Sequence, residues 1–557
     1  MTTSAPASDA PSPLDALLAP GGPFELVPEE VLGSVVPVFV RRRRALHELL
    51  AESVEHGDRV YLATAEHRVT FAEHARRVSA LAAGLQEEHG VAPGDRVAIH
   101  AANRPEWIET FWAVTSLGAI AVGFNAWWSA AETTAAVEQT TPVLVVADAK
   151  RAALVGPGTP VLAMEEALPA LLARHDGAPL PSSDVEEDDP AVILFTSGTS
   201  GHPKGVVHTH RNVLAVVEYH RFNDAVAAIF GDPTDPRDKT YLLTMPLFHV
   251  GSLHNLAVPR LATGSKVALH LGAFDVDRVL RLVESERVTN WGAVPTMAHR
   301  MLEHPDLSAY DTSSLRAFAL ASAPSSPAFK QRLRDGLPFA SMLVDSYGLT
   351  ETCTAVAVAS PMDLAEAPGS LGRPVLGVQV EIRDPQGRAL PEGVEGEVCV
   401  RSMFVMKEYW GHPEATAAAL REDRWLHTGD IGVMEQGRVR LSSRRADLII
   451  RGGENINPGE IEAVLAEHPA VSDVVVLGLD DEALGQVPGA VVVLAEGAQV
   501  TTEELADHVG EQLAYFKVPV RWRLTDQPLP RNATGKVVRR EVPRPDQDRP
   551  GRAGRAD

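Results

Sequence analysis

Cysteine is nearly absent: Cys353 and Cys399 are the two in a chain of 557 residues. A disulfide framework is thereby excluded, and a reducing compartment is expected. Basic side chains are also in short supply, 51 against 74 acidic ones, for a formal charge of -23. A summed field of that sign disfavours nonspecific nucleic-acid binding, so an anionic substrate needs locally placed cations. Long apolar runs are missing as well. No stretch reaches the roughly 18 consecutive apolar residues that span a bilayer, and Met1 to Leu18 lacks the basic and apolar segments of a signal peptide. Neither a terminal lipidation pattern nor a repeat of solenoid period is present. A cytoplasmic protein with no nucleic-acid partner and no stable membrane insertion is the expectation.

What is present is enough apolar residue, 45% of the chain, to fill more than one core at this length. From about Val36 to Leu180, helical spacing (Phe71 to Leu85) alternates with short strand-like runs (Val97 to His100, Val143 to Val146), a pattern of α/β layers. The acidic stretch Ser182 to Pro190 precedes the apolar run Ala191 to Phe195, which reads as a buried strand feeding a glycine-rich turn. Further α/β units run to Val344. Between Val378 and Val400, short runs broken by Pro-Gln-Gly-Arg and Pro-Glu-Gly predict antiparallel hairpins. The last part predicts a helix over Ile456 to His468, strands Val471 to Leu477 and Ala490 to Leu494, and a helix Thr502 to Leu513, with a small core of its own. The charged tail from Pro543, rich in Pro, Gly and Arg, is expected to be disordered.

The sharpest local signal is Ile193-Leu-Phe-Thr-Ser-Gly-Thr-Ser-Gly-His-Pro-Lys-Gly205. Small residues let backbone amides crowd phosphate oxygens, hydroxyls donate further bonds, and Lys204 supplies a point charge. It departs from G-x-x-x-x-G-K-[ST], since Pro203 stands at the second glycine, and it lacks G-x-S-x-G spacing. Read bare, it could also be a surface loop of turn-forming residues. The string closely resembles the phosphate-binding signature of the adenylate-forming superfamily of acyl-CoA synthetases, luciferases and nonribosomal adenylation domains. That resemblance assigns Thr196, Ser197, Gly198, Thr199, Ser200, Gly201 and Lys204 to ATP binding, with Thr196 and Lys204 also catalytic.

Further motifs follow in the order of that family. Ser346-Tyr-Gly-Leu-Thr-Glu-Thr352 resembles its second signature, which implies Tyr347 against adenine, Gly348 in the turn, Thr350 at phosphate and Glu351 holding Mg²⁺. Ala321-Ser322-Ala323-Pro324 stands where an adenine-binding turn is common, its first residue departing from glycine by one methyl. Trp425-Leu-His-Thr-Gly-Asp430 resembles the ribose segment, with Asp430 accepting from the diol and Arg444 assisting from the domain junction. Arg445 to Glu462 resembles the hinge and the loop along the pantetheine tunnel, where Gly452 and Gly453 allow close backbone approach. Leu529 to Arg540 resembles the loop whose lysine, here Lys536, bridges carboxylate and α-phosphate during adenylation.

The resemblance implies an α/β fold: a large N-terminal adenylation domain over residues 1–443, made of two doubly wound α/β subdomains and a small β-rich one, a hinge at 444–446, and a mobile α+β C-terminal domain over 447–557. A rotation of that domain lets Lys536 and the Gly452/Gly453 loop serve one centre in turn. Ala446 occupies a hinge position where the family usually has Asp or Lys. The implied activity is an AMP-forming acid:CoA ligase using ATP, Mg²⁺, CoA and a fatty or aryl acid, with room for a homodimer. His249 is expected beside the acyl pocket, with Trp291, Gly292, Ala293 and Met297 along its wall. Trp127 and Trp128 suit either an acyl ligase phrase or a packed subdomain seam. His202, His208 and His210 match no zinc spacing. Two alternatives stay open: transfer to a carrier-protein thiol, an amine or nitrite, and a noncatalytic nucleotide-binding homologue.

Overall fold

A computed structural model describes residues 12–196, 203–321, 325, 327–443, 449–456, 458–530, 537 and 539–545. The first large sheet has seven strands in the order Glu408–Tyr409, Lys204–Thr209, Pro190–Thr196, Ile120–Gly123, Arg96–His100, Leu144–Ala147, Val161–Ala163. Its last five strands run parallel. Strands such as Ile120–Gly123 and Leu144–Ala147 are buried at every position, which is why they appear in the sequence as unbroken apolar runs. The helix Phe71–Glu87 starts where Thr70 accepts a hydrogen bond from the Glu73 amide, and it buries Phe71, Ala75, Val78, Ala82 and Leu85 on one face.

A second sheet of nine strands is parallel from Leu343–Gly348 through to Val60–Ala63. Val60–Ala63 and Arg68–Thr70 come from early in the chain but close the edge of a sheet otherwise built from residues 240–374. The two α/β layers are thus interleaved. A four-stranded antiparallel sheet follows, Val378–Arg383, Gly396–Ser402, Leu426–Glu435 and Arg438–Ser443, where turn residues had predicted hairpins.

The final unit pairs Glu454–Ile456, Ile449–Arg451, Gly485–Leu494 and Val471–Asp481, with Arg521–Thr525 parallel to Gly485–Leu494. Its own core includes Ile449, Ile461, Leu465, Val476, Val492 and Leu505. Both central strands run longer than their apolar runs. They extend to a tight turn where Asp481 accepts from the Ala483 and Leu484 amides at 3.0 and 2.9 Å and Gly485 takes φ 76°. The first helix is Pro458–Ala466, because Ile456 belongs to a strand, and the second, Thr502–Gly510, stops short of Leu513. Among the described residues no helix is long and apolar enough to cross a membrane.

Candidate active site

The strand Pro190–Thr196 and the strand Lys204–Thr209 pair antiparallel, with Thr196 directly opposite Lys204. The two ends of the glycine-rich segment are therefore held side by side, while Ser197, Gly198, Thr199, Ser200 and Gly201 lie outside the described residues. Lys204 sits over the Tyr409 ring, its Nζ 5.1 Å from the centroid. The Tyr409 hydroxyl donates to Glu351 Oε1 at 2.7 Å. One aromatic ring thus ties the lysine of the first motif to the carboxylate of the second. Glu351 is 5% exposed and forms no ion pair among the described residues. A buried carboxylate of that kind is costly without a cation, and its free lone pairs suit a hard divalent ion.

The turn bearing Glu351 is a short 3₁₀ segment, Thr350–Thr352, entered through Gly348. A Cβ at Gly348 would lie 2.7 Å from the Thr354 carbonyl oxygen, so only glycine lets the strand turn here. At the other end of the same strand motif, the Tyr347 hydroxyl donates to Asp430 Oδ2 at 2.7 Å. Asp430 is fixed further by its own amide, which donates to Thr428 Oγ1 at 3.1 Å. The residues assigned to adenine and ribose are therefore in direct contact. Ala321 follows the strand Ala317–Leu320, its amide donating to the Ala293 carbonyl. Ser322, Ala323, Pro324, Arg444, Ala446 and Lys536 lie outside the described residues.

A cavity of about 140 Å³ opens between the large and small units. It is lined by Thr196, Phe248, His249, Gly251 and Thr350 from one side and by Gly453, Glu454, Glu460, Phe516 and Lys517 from the other. Gly452 and Gly453 take φ 61° and 92°. A Cβ on Gly453 would come within 3.0 Å of Val294, so close approach of this loop to the large unit depends on glycine. His249 Nε2 faces Glu454 Oε1 at 3.4 Å, which places this histidine at the seam between units. Trp127 also packs at the seam, edge-on to Phe248 and Phe516 at 5.4 and 6.1 Å, whereas Trp128 packs inside the large unit against Phe124 and Phe195.

The four residues expected along the acyl wall divide. Trp291, 2% exposed, lies in the core of the nine-stranded layer, tilted on Phe318 and Phe339, with Nε1 donating to Thr244 Oγ1 at 3.1 Å. Ala293 belongs to the same core, and Met297 packs on its edge. Gly292 faces the opposite side of the strand, by alternation, with the Met245 methyl 4.0 Å from where its Cβ would stand. Trp291 and Ala293 are therefore packing residues in this structure, because the period of two turns them away from Gly292.

His208 and His210 have separate neighbours, and His202 lies outside the described residues. His210 Nδ1 accepts from the Leu46 amide at 3.2 Å. His208 packs edge-on to His254, and His254 Nδ1 lies 3.2 Å from Cys353 Sγ, immediately behind the Glu351 turn. Burial pushes His208 down to about 3, His254 well below its usual value, and the Cys353 thiol well above its own. Burial thus favours the uncharged form of all three at neutral pH. Tyr409, Phe516 and Lys517 escaped the sequence reading, since each stands outside the motifs and only tertiary contact brings it to the site, whereas Glu454 and Glu460 fall within the Arg445 to Glu462 motif but carry no assigned role there.

The description "AMP-binding enzyme" fits residues 50–410, and "AMP-binding enzyme C-terminal domain" fits residues 460–536. A feruloyl-CoA synthase of an Amycolatopsis species is 37% identical over 506 residues, 90% of this chain and 97% of the relative. A long-chain-fatty-acid–CoA ligase of Mycobacterium tuberculosis is 34% identical over 460 residues, covering 81% and 88%. Among solved structures, a double mutant of the o-succinylbenzoate CoA synthetase of Bacillus subtilis, bound with its product analogue, superposes with a TM-score of 0.79 at 30% identity, covering 89% and 98%. The same synthetase in complex with its acyl-adenylate intermediate gives 0.62 at 31% identity, covering 88% and 97%. With both units matched in order and relatives of 37% and 34% identity covering most of the chain, the chain belongs to the AMP-binding enzyme family of adenylate-forming enzymes.

Proposed function

We propose that this protein is an ATP-dependent, AMP-forming acid:CoA ligase acting on a fatty or aryl acid. The observation that carries the reading is the junction at Tyr409, where Lys204 and Glu351 meet on one ring beside the Thr196 strand end. In the first step a carboxylate oxygen attacks the α-phosphorus of ATP; a P–O bond forms and pyrophosphate leaves, giving the acyl-adenylate. Two anions approach each other there. Lys204, and Lys536 from the C-terminal segment, offset the developing charge and hold the in-line arrangement. Glu351 is the residue suited to hold Mg²⁺, which when bound would screen the phosphate oxygens. Tyr347 and Asp430, already hydrogen-bonded to each other, present an aromatic face and a carboxylate to adenosine. In the second step the thiol of CoA loses its proton, its sulfur bonds to the acyl carbon, and AMP departs. The cavity between Gly453 and His249 is where the thiol arm would enter.

The test is to incubate the protein with Mg-ATP and a panel of fatty and aromatic acids, with and without CoA, following pyrophosphate, AMP and thioester by mass spectrometry. Thioester from one acid class, with AMP release dependent on CoA, is the expected result and names that class. Adenylate that accumulates while CoA is not consumed would replace CoA by another acceptor.

A further inference from the structure

The seam between the two units is built around one buried ion cluster. Lys517 Nζ lies 2.6 Å from Glu132 Oε1 and 2.5 Å from Glu460 Oε2, and the three side chains are 5%, 6% and 2% exposed. Glu460 and Lys517 belong to the small unit, whereas Glu132 stands in the first turn of the helix Ala130–Thr140 of the large one. Around it, Ser129 Oγ donates to the Gln512 carbonyl at 2.5 Å, and Trp127 packs edge-on to Phe516. The same Glu460 and Lys517 line the cavity that Gly453 and His249 share.

Among the described residues one lysine faces two carboxylates, and taking such a cluster out of water costs desolvation that offsets its attraction, so the contact adds little net stability to the docked state. Within the small unit Lys517 has its own partner in Glu460, and within the large unit Glu132 caps its own helix, its Oε2 accepting from the Ser129 amide at 2.9 Å. Each half is complete by itself. The arrangement superposes at 0.79 on a relative bound with a CoA product analogue and at 0.62 on the same relative holding an acyl-adenylate.

We infer that Glu132 is a positioning residue for the thiol-transfer half of the reaction: through Lys517 it docks the small unit so that the Gly453 loop closes the cavity in which the thiol meets the acyl-adenylate. This rests on the acid:CoA ligase reading above. The experiment uses the full chain and an acid identified by the panel, and measures two rates: pyrophosphate release without CoA, and single-turnover thioester formation from preformed adenylate. Glu132→Gln keeps an acceptor for the helix cap and removes only the charge. It should leave the first rate within about twofold and slow the second about tenfold, the loss of one interaction made only in the docked state. Glu132→Asp, which restores the charge on a shorter arm, should recover part of the second rate, a rescue that a merely structural role would not give. Trp127→Leu, which removes the large unit's ring packed on Phe516, should slow the same step. Equal losses in both rates, or no loss in either, would overturn the role of Glu132 while leaving the ligase reading intact. A wild-type protein that makes adenylate but never thioester would remove that reading and the inference with it.

Discussion

Tyr409 does two jobs with one side chain, since its ring lies under Lys204 and its hydroxyl holds Glu351. The two can be separated. Tyr409→Phe keeps the ring and removes a hydrogen bond to a charged acceptor, worth about 1.5 to 3 kcal/mol. Acid-dependent pyrophosphate release should fall about tenfold and require more Mg²⁺ for half-maximal rate, because Glu351 loses the contact that orients it. Tyr409→Leu, which also removes the π face, should fall further. A Phe variant with unchanged Mg²⁺ dependence would mean that Glu351 is oriented by something else. Nothing in Lys407-Glu408-Tyr409-Trp410 announces this role, because the residue works through its pairing with Val206, about two hundred positions earlier. The Tyr-Gly-Leu-Thr-Glu turn, by contrast, was legible because a local backbone demand places its glycine beside its hydroxyl and carboxylate in consecutive positions.

At the scale of elements, the same contrast holds. Buried parallel strands such as Leu144–Ala147 and Pro190–Thr196 stood out as apolar runs, for both their faces are covered. The stretch Trp291 to Ala293 divides between two faces, because alternation sends Trp291 and Ala293 into the core while Gly292 faces the other way, a split that the plain string does not display. The acidic stretch before Pro190 is a second case. Its composition names no partner, yet Glu187 turns inward to meet Arg42, Arg44 and Arg211, while Arg211 also reaches Asp188 at 2.7 Å and Glu29 at 2.7 Å. Sequence spacing holds no record of partners that far apart. Glu187→Gln leaves two buried guanidinium groups short of a counter-charge and should destabilise the large unit by about 3 kcal/mol, seen as an earlier urea transition. Glu29→Gln, whose side chain is 34% exposed, should cost less. Gly348→Ala tests the turn itself: the added methyl meets a carbonyl oxygen at 2.7 Å, so the Glu351 segment must shift. A misplacement on the order of 1 Å costs on the order of 10²-fold in rate, with circular dichroism expected to remain native.

Across the whole molecule, the notable feature of the large unit is how many histidines it buries without charge. Burial pushes His74 and His208 down to about 3 and His100 and His210 down to about 4, from an ordinary value near 6.5. Above 6.5 both folded and unfolded chains leave these rings neutral, and stability is at its full value. As pH falls below 6.5 the unfolded chain takes up protons that the folded one refuses, so stability is lost progressively down to the folded values. Each such ring contributes up to about 1.4 kcal/mol per pH unit to that slope. The four together should make the large unit acid-labile between pH 6.5 and 5, before most carboxylates titrate. A second effect opposes this one, because the formal charge of -23 shrinks on acidification and relieves self-repulsion. A single substitution separates them. His74 lies in a fully buried site edge-on to Tyr61 at 4.9 Å, where phenylalanine can replace its ring. His74→Phe changes the formal charge at pH 7 not at all but removes one refused proton. The slope of the urea midpoint against pH, measured from pH 7.5 to 5, should therefore become shallower by about one proton. A slope that His74→Phe leaves unchanged would assign the acid response to surface charge, and would mean that His74 takes up its proton in the folded chain as readily as in the unfolded one.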